Sequence, residues 1–159
     1  LGVKTLFESK EQGVPTTVKL KKLTRRVPRL DYDFVNCPDL AQTFVVCCAM
    51  MNIPFRFTGL RTLKIKETDR ISALKTEMKK LGYIIREEDD SNLVWDGERC
   101  EPLKDISIDT YEDHRMALAF APAAIKIPGL KINDPHVVTK SYPSYWNDLE
   151  KVGFTMTEE

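Results

Sequence analysis

The sequence predicts an α/β (α+β) fold assembled from repeated βαβαββ units, and the prediction depends on the spacing of a few charged residues. Asp39 and Lys66 are 27 residues apart, and the same interval separates Asp113 from Lys140. Each interval contains an apolar helix, a turn and a short strand, and each lysine precedes a second helix that closes on a glycine. The repeat period of about 74 residues is too long for a common solenoid and suits a duplicated supersecondary unit.

The first 29 residues predict two strands separated by a polar turn from Ser9 to Gly13. Leu1-Gly2-Val3 is similar to Leu81-Gly82-Tyr83, which ends a later helix and is again followed by a strand. We therefore interpret residues 1–29 as the tail of a truncated unit, residues 30–104 as a second unit and residues 105–159 as a third. Because the chain begins with leucine rather than methionine, we expect a fragment or a processed product.

Residues 30–104 supply the elements of the second unit in order. An apolar helix of about a dozen residues begins at Asp39, which follows a proline and suits an N-cap or first-turn position. Residues 54–66 are strand-like on both sides of a turn at Thr58-Gly59, and residues 83–99 predict a hairpin whose polar turn lies near residues 90–92.

A second helix of this unit is predicted before Gly82. Its apolar side chains recur at helical spacing and share one face: Ile71, Leu74, Met78 and Leu81. The helix start carries Lys66 and Arg70, although a helix N-terminus favours anions. Two interpretations remain open: the cations pair with Glu67 and Asp69 in a solvated helix start, or the cluster binds a phosphate or carboxylate.

The third unit repeats this order. A short strand precedes Asp113, a helix rich in small residues follows it, and a turn at Pro128-Gly129 leads to a strand. Lys140 then opens a helix that closes at Gly153, and residues 154–159 predict a last strand. If the two units are equivalent, their helix starts converge on one side of the domain. The predicted gathering contains eight charged or titratable residues: Asp39, Lys66, Glu67, Arg70, Asp113, His114, Arg115 and Lys140.

Composition excludes several function classes. The chain has 24 basic and 24 acidic residues, so no overall field recruits nucleic acid or an anionic membrane surface. No stretch approaches the ~20 apolar residues of a membrane span, and the first residues do not form a signal peptide. Cys37, Cys47, Cys48 and Cys100 lack metal-ligand spacing and are predicted to be buried, reduced thiols, which suits the cytosol.

Three motifs carry a family resemblance: KETDR before a helix that ends in LG, then DHRMA, then KSYP. With these motifs in this order, the chain from about Leu30 onward closely resembles the C-terminal part of the 3-phosphoshikimate 1-carboxyvinyltransferase (EPSP synthase) family. The resemblance implies transfer of the enolpyruvyl group of phosphoenolpyruvate to the 5-hydroxyl of shikimate 3-phosphate with release of phosphate, in the route to aromatic amino acids. It also implies a two-lobed monomer with three βαβαββ units per lobe, and no metal or organic cofactor.

The resemblance also implies residue roles, motif by motif. Asp39 is implied as the proton acceptor beside the attacking hydroxyl, Lys66 as a shikimate 3-phosphate ligand, and Glu67 as the acid near the phosphoenolpyruvate methylene. Arg70 and Arg115 are implied to hold the phosphoenolpyruvate carboxylate. The resemblance places Lys140 on the phosphate side of the same substrate and His114 near the reacting centre. These roles are chemically coherent, because paired guanidinium groups fork a carboxylate and a positioned carboxylate moves protons.

The sequence departs from the family at Thr62, where the family commonly has an asparagine that touches shikimate 3-phosphate. The family's N-terminal lobe is also absent from these residues, so we expect the isolated chain to be inactive. Two rival functions remain: the related UDP-N-acetylglucosamine enolpyruvyl transferase, against which KETDR and DHRMA argue, and a non-catalytic module that binds anions at its helix ends.

Overall fold

A computed structural model describes residues 1–9, 13, 16–65 and 69–157. Within these residues the chain forms the following strands: β1 (Val3–Phe7), β2 (Val18–Lys22), β3 (Leu30–Asp33), β4 (Phe55–Thr58), β5 (Arg86–Glu88), β6 (Asn92–Trp95), β7 (Ser107–Ile108) and β8 (Lys131–Ile132). The α-helices are α1 (Ala41–Met50), α2 (Arg70–Lys80), α3 (His114–Phe120) and α4 (Tyr145–Lys151). Short 3₁₀ helices cover Pro38–Leu40, Arg61–Ile65, Ala121–Ile125 and Pro135–Val138. The mixed α/β class predicted from the sequence is confirmed.

The central sheet has four strands in the order β3-β4-β6-β5. β3 and β4 are parallel and are connected through α1, whereas β6 is antiparallel to both of its neighbours. Phe55 and Phe57 alternate with polar residues along β4, so both phenyl rings enter the core, where they stack with centroids 4.4 Å apart. The predicted hairpin of residues 83–99 is confirmed by the β5–β6 pairing.

Helix α2 begins at Arg70 rather than at the predicted Lys66, which lies outside the described residues, and it ends before Gly82 as predicted. The Asp69 carboxylate caps the helix by accepting hydrogen bonds from the backbone N–H groups of Ile71 and Ser72, each at 3.1 Å. The predicted apolar face is confirmed, since its four residues are buried in the main core. Gly82 follows the helix with φ of +87°, the left-handed conformation that ends many helices.

The C-terminal third contributes residues to the main core and adds a second, smaller apolar cluster. β7 and β8 pair in parallel, and α3 lies between them in the chain and packs on α1. A second apolar cluster joins α3 to the segment after it through Ala117, Ala121, Val138 and Tyr145. The start of α3 therefore lies beside α1, within reach of the residues that begin the other helices.

The N-terminal hairpin is confirmed, with β1 and β2 antiparallel over Val3–Phe7 and Val18–Lys22. Its strands are exposed along their whole length. The polar turn predicted from Ser9 to Gly13 lies largely outside the described residues.

Three predictions of secondary structure are wrong. Residues 61–65 form a 3₁₀ helix rather than the second half of a strand-turn-strand, because Gly59 turns the chain and Leu63 is then buried. Residues 154–157 form no strand, and the rest of that predicted strand lies outside the described residues. Lys140 does not open α4, which starts at Tyr145 after a turn.

The cysteines of the chain are free thiols. Cys48 is buried, as predicted, and burial raises the pKa of its thiol to about 12. Cys37, Cys47 and Cys100 are only half-buried. In the part of the chain that the structure describes, no helix is long and apolar enough to cross a bilayer.

Candidate active site

Three helix starts meet at one cluster of charged side chains. Asp39 lies in the 3₁₀ helix that leads into α1, Arg70 is the first residue of α2, and Asp113 is the N-cap of α3. Packing of α1 against both α2 and α3 brings these starts together. We call Asp39, Arg70, Asp113 and Arg115 the arginine–aspartate cluster.

Arg70 and Asp113 form the buried half of this cluster. The Arg70 side chain is 3% exposed and the Asp113 side chain is fully buried. Arg70 Nε donates to Asp113 Oδ2 at 2.6 Å, and Arg70 Nη2 donates to Asp113 Oδ1 at 3.3 Å. Two parallel N–H···O bonds fix the plane of the guanidinium as well as its position. Asp113 Oδ1 also accepts from the Arg115 backbone N–H at 2.9 Å, so the same carboxylate caps α3.

The Asp39 carboxylate bridges the two arginines. Arg70 Nη1 donates to Asp39 Oδ1 at 2.9 Å, and Arg115 Nη2 donates to Asp39 Oδ2 at 3.0 Å. Arg115 Nη1 also reaches the Asp39 backbone carbonyl at 3.4 Å. The side chains of Asp39 and Arg115 are each about one-third exposed, at 36% and 33%. Two guanidinium groups therefore converge on one carboxylate at the accessible edge of the cluster.

Gln42 is a member of this site that sequence reasoning missed. It is fully buried in the first turn of α1, and its Nε2 donates to Asp113 Oδ2 at 3.2 Å. Its Oε1 has no hydrogen-bond partner among the described residues, and the same holds for the buried Thr110 hydroxyl. The backbone N–H of Asp113 donates a hydrogen bond to the Thr110 carbonyl at 2.9 Å, so Thr110 lies next to the same cluster. The signal in the sequence was one amide within an otherwise apolar helix.

The other predicted site residues are less tightly placed. His114 is the first residue of α3, half-buried, with Nδ1 4.0 Å from Asp113 Oδ1. Thr62 is exposed in the 3₁₀ helix Arg61–Ile65, which contacts the 3₁₀ helix that carries Asp39. Lys140 is exposed in a turn, and its side chain makes no hydrogen bond or ion pair with a described residue. Lys66 and Glu67 lie outside the described residues.

This arrangement is suited to binding an anion. A guanidinium has five N–H donors, and the Arg115 contacts to described residues use two of its nitrogens for Asp39 alone. Further donors remain to meet a second carboxylate or a phosphate beside Asp39. Across the described residues, no group of three His, Cys, Asp or Glu side chains is arranged to hold a metal ion.

Comparison with known proteins places these observations in a family. The family model of EPSP synthase (3-phosphoshikimate 1-carboxyvinyltransferase) matches residues 13–149. A 3-phosphoshikimate 1-carboxyvinyltransferase of Bacteroides fragilis (strain YCH46) is 67% identical over 139 residues, which cover 87% of this chain and 34% of the relative. Proteins of the same name from Idiomarina loihiensis and Rhizobium etli are 38% and 39% identical over 81% and 74% of the chain, and over 29% and 28% of their own lengths. The chain thus spans about a third of the length of these curated relatives.

Proposed function

The chain belongs to the EPSP synthase family, and from this premise we propose that it supplies part of the active site of a 3-phosphoshikimate 1-carboxyvinyltransferase. The proposed reaction transfers the enolpyruvyl group of phosphoenolpyruvate to the 5-hydroxyl of shikimate 3-phosphate and releases phosphate. The remaining two-thirds of the enzyme, including an N-terminal lobe, would supply the other substrate contacts. The intact enzyme is proposed to act as a monomer.

The observation that carries this proposal is the sharing of one carboxylate by Arg70 and Arg115. The convergence of both guanidinium groups on the Asp39 carboxylate supports the proposal that they also hold the carboxylate of phosphoenolpyruvate. Arg70 is fixed by Asp113, so its guanidinium is preorganised before substrate arrives, and little cost of ordering this side chain remains at binding.

The proposed roles of the remaining residues follow the family motifs. Asp39 accepts the proton of the attacking hydroxyl, since its carboxylate lies at the accessible edge of the cluster. Glu67 is proposed to handle the proton of the phosphoenolpyruvate methylene, and Lys66 and Thr62 to bind shikimate 3-phosphate. Lys140, whose side chain is exposed, is proposed to meet the phosphate of phosphoenolpyruvate, and His114 to donate a hydrogen bond near the reacting carbon.

The order of elements supports the proposed repeat. Residues 30–95 run strand, helix, strand, helix, strand, strand, and residues 107–151 run strand, helix, strand, helix. We propose that these are the second and third βαβαββ units of one lobe, within residues 30–104 and 105–159. The exposed β1–β2 hairpin would then be the final strand pair of a preceding unit, within residues 1–29.

Substitution of Arg115 tests the carboxylate assignment. The experiment uses a chimera in which this chain replaces the matching third of the Bacteroides fragilis relative. Because a charge-assisted pair contributes about 1.5–3 kcal/mol, Arg115→Gln is expected to raise the KM for phosphoenolpyruvate roughly tenfold to a hundredfold. The KM for shikimate 3-phosphate should stay within about twofold.

The matched control is Arg61→Gln, which removes an exposed arginine from a 3₁₀ helix. This control should leave both KM values unchanged. An Arg115→Gln enzyme with an unchanged KM for phosphoenolpyruvate, or with equal increases for both substrates, would contradict the assignment.

A further inference from the structure

The Asp113 carboxylate is hydrogen-bonded to residues of three helices. It receives two hydrogen bonds from Arg70 at the start of α2, one from the Arg115 backbone at the start of α3, and one from Gln42 in α1. A fully buried carboxylate needs such donors, because burial without them is costly. The proposed chemistry uses Arg70 and Arg115 but gives no task to Gln42.

Gln42 occupies its position at a cost to stability. The Asp113 oxygens only accept in these contacts, so the Gln42 amide must turn its NH₂ toward Asp113 and its carbonyl away. That carbonyl is buried and has no partner among the described residues. An apolar side chain of similar shape would avoid this penalty. Proteins keep unfavourable local features such as this unpartnered buried carbonyl mainly at functional sites.

We propose that Gln42 is a positioning residue for phosphoenolpyruvate: its amide holds the Asp113 carboxylate in the orientation that aims the Arg70 guanidinium. This inference rests on the proposed function, since it takes Arg70 as a ligand of the substrate carboxylate. Gln42 acts through Asp113 and does not touch substrate. Its removal should therefore weaken phosphoenolpyruvate binding without slowing the chemical step.

The test replaces Gln42 by apolar side chains of similar size in the chimera. Gln42→Met and Gln42→Leu should raise the KM for phosphoenolpyruvate roughly threefold to tenfold. The kcat and the KM for shikimate 3-phosphate should stay within about twofold. The melting temperature should stay close to that of the parent, because the unpartnered carbonyl is gone while Arg70 and the Arg115 backbone still donate to Asp113. Thr43→Ala, at the exposed neighbour in the same helix, is the matched control and should change nothing.

A double variant shows whether Gln42 acts through Asp113. If it does, Gln42→Met combined with Asp113→Asn should have the same KM for phosphoenolpyruvate as Asp113→Asn alone, so the two effects are not additive. Additive effects would overturn the inference. So would an unchanged KM for phosphoenolpyruvate in folded Gln42→Met, or unfolding of both apolar variants, since a merely structural role predicts a loss of stability.

Failure of this inference is distinguishable from failure of the proposed function. The unmodified chimera is assayed first with both substrates. If it releases no phosphate, the proposed function fails and the inference falls with it. If it turns over and Gln42→Met retains the parental KM for phosphoenolpyruvate, only the role of Gln42 is refuted.

Discussion

The charged residues of the arginine–aspartate cluster differ in how firmly packing holds them. Arg70 and Asp113 are buried against one another, so a substitution at either position changes both stability and any function. Arg115 and Asp39 are each about one-third exposed, so their substitutions report more directly on chemistry. The buried contact with Asp113 fixes the position of the Arg70 guanidinium, and Asp39 and Arg115 lie at the accessible edge of the cluster.

A proton-transfer role for Glu67 gives the sharpest residue-scale prediction. Glu67→Gln in the chimera keeps the side chain's size and hydrogen-bonding capacity but removes its basicity. Loss of a general acid–base group costs about 10²- to 10⁴-fold in rate, so kcat should fall by that factor. A module that only binds anions would tolerate the change. Glu101→Gln, at an exposed acid, is the control, and a Glu67→Gln enzyme as fast as that control would refute the role.

Residue-level pattern anticipated part of the cluster. The equal spacing predicted that the helix starts converge on one side of the domain. Four of the predicted residues do meet there: Asp39, Arg70, Asp113 and Arg115. The contacts within the cluster were not predictable, because spacing along the chain does not say which guanidinium reaches which oxygen. Gln42 was missed since a single amide in an apolar helix carries no periodic signal, and its partner lies 71 residues away.

At the scale of elements, Gly59 is the turn on which the approach to Arg70 depends. It has φ of +74°, and a Cβ placed there would collide with the Asp33 carboxylate and the Val35 backbone. We expect Gly59→Ala to lower the free energy of unfolding by about 3 kcal/mol or more. Gly129→Ala is the control, since Gly129 has φ of +79° but open space around it, and it should cost only about 1 kcal/mol.

Urea unfolding of the chimera, followed by tryptophan fluorescence to which the buried Trp95 contributes, measures the stability of both glycine variants. The difference between them isolates the steric collision from the cost of the left-handed backbone. Equal losses at Gly59 and Gly129 would show that the close packing of the turn contributes nothing.

A polar network ties α2 to the segment that leads into α3. The fully buried Glu77 accepts from the Tyr111 hydroxyl at 2.8 Å, and Lys80 Nζ donates to Asp109 at 2.7 Å. The Lys80 ammonium lowers the pKa of the Asp109 carboxyl, and the Asn133 amide adds to this effect. The start of α3 is therefore held to α2 by charge as well as by apolar packing.

This network predicts a pH-dependent stability. The pKa of Asp109 is lower in the folded state than in the unfolded state. Its ionised carboxylate therefore contributes fully to stability above the unfolded-state pKa of about 3.9, and this contribution is lost as the pH falls through the folded-state pKa. Asp109→Asn should cost about 1 kcal/mol or less at pH 7, since the side chain is half-exposed. The difference in unfolding free energy between parent and variant should disappear below about pH 4, as measured by urea unfolding at several pH values. A difference in unfolding free energy that stays constant as the pH falls would exclude the ion pair as its cause. At pH 7 the loss of stability in Asp109→Asn should exceed the loss in Asp105→Asn, the control at an exposed acid.

Element types were predicted more reliably than the path of the chain after each turn. The helix α2 and the β5–β6 hairpin could be read from periodicity, because long apolar spacing and a polar turn are local signals. Residues 61–65 have a strand-like composition, yet the turn at Gly59 and burial of Leu63 make them helical. Residues 154–157 also have a strand-like composition, but they form no strand. A strand needs a neighbouring strand to pair with, and composition alone does not show whether one is present.

At the scale of the whole molecule, the chain matches only about a third of the length of its relatives. The exposed apolar side chains of the β1–β2 hairpin, among them Val3, Phe7 and Leu20, are consistent with a face that other parts of a longer protein cover. The arginine–aspartate cluster contains balanced charges from two arginines and two aspartates. The proposed binding of two phosphorylated substrates needs further cations, which the proposed N-terminal lobe would supply.

The most direct test of the proposed function is phosphate release by the chimera, with the parental Bacteroides fragilis enzyme as the control for the assay. Phosphoenolpyruvate is supplied with shikimate 3-phosphate in one reaction and with UDP-N-acetylglucosamine in another. We predict release with shikimate 3-phosphate alone, and no release with either acceptor by the isolated 159 residues. A folded chimera that releases phosphate with neither acceptor, or only with UDP-N-acetylglucosamine, would contradict the proposal, and so would turnover by the isolated chain.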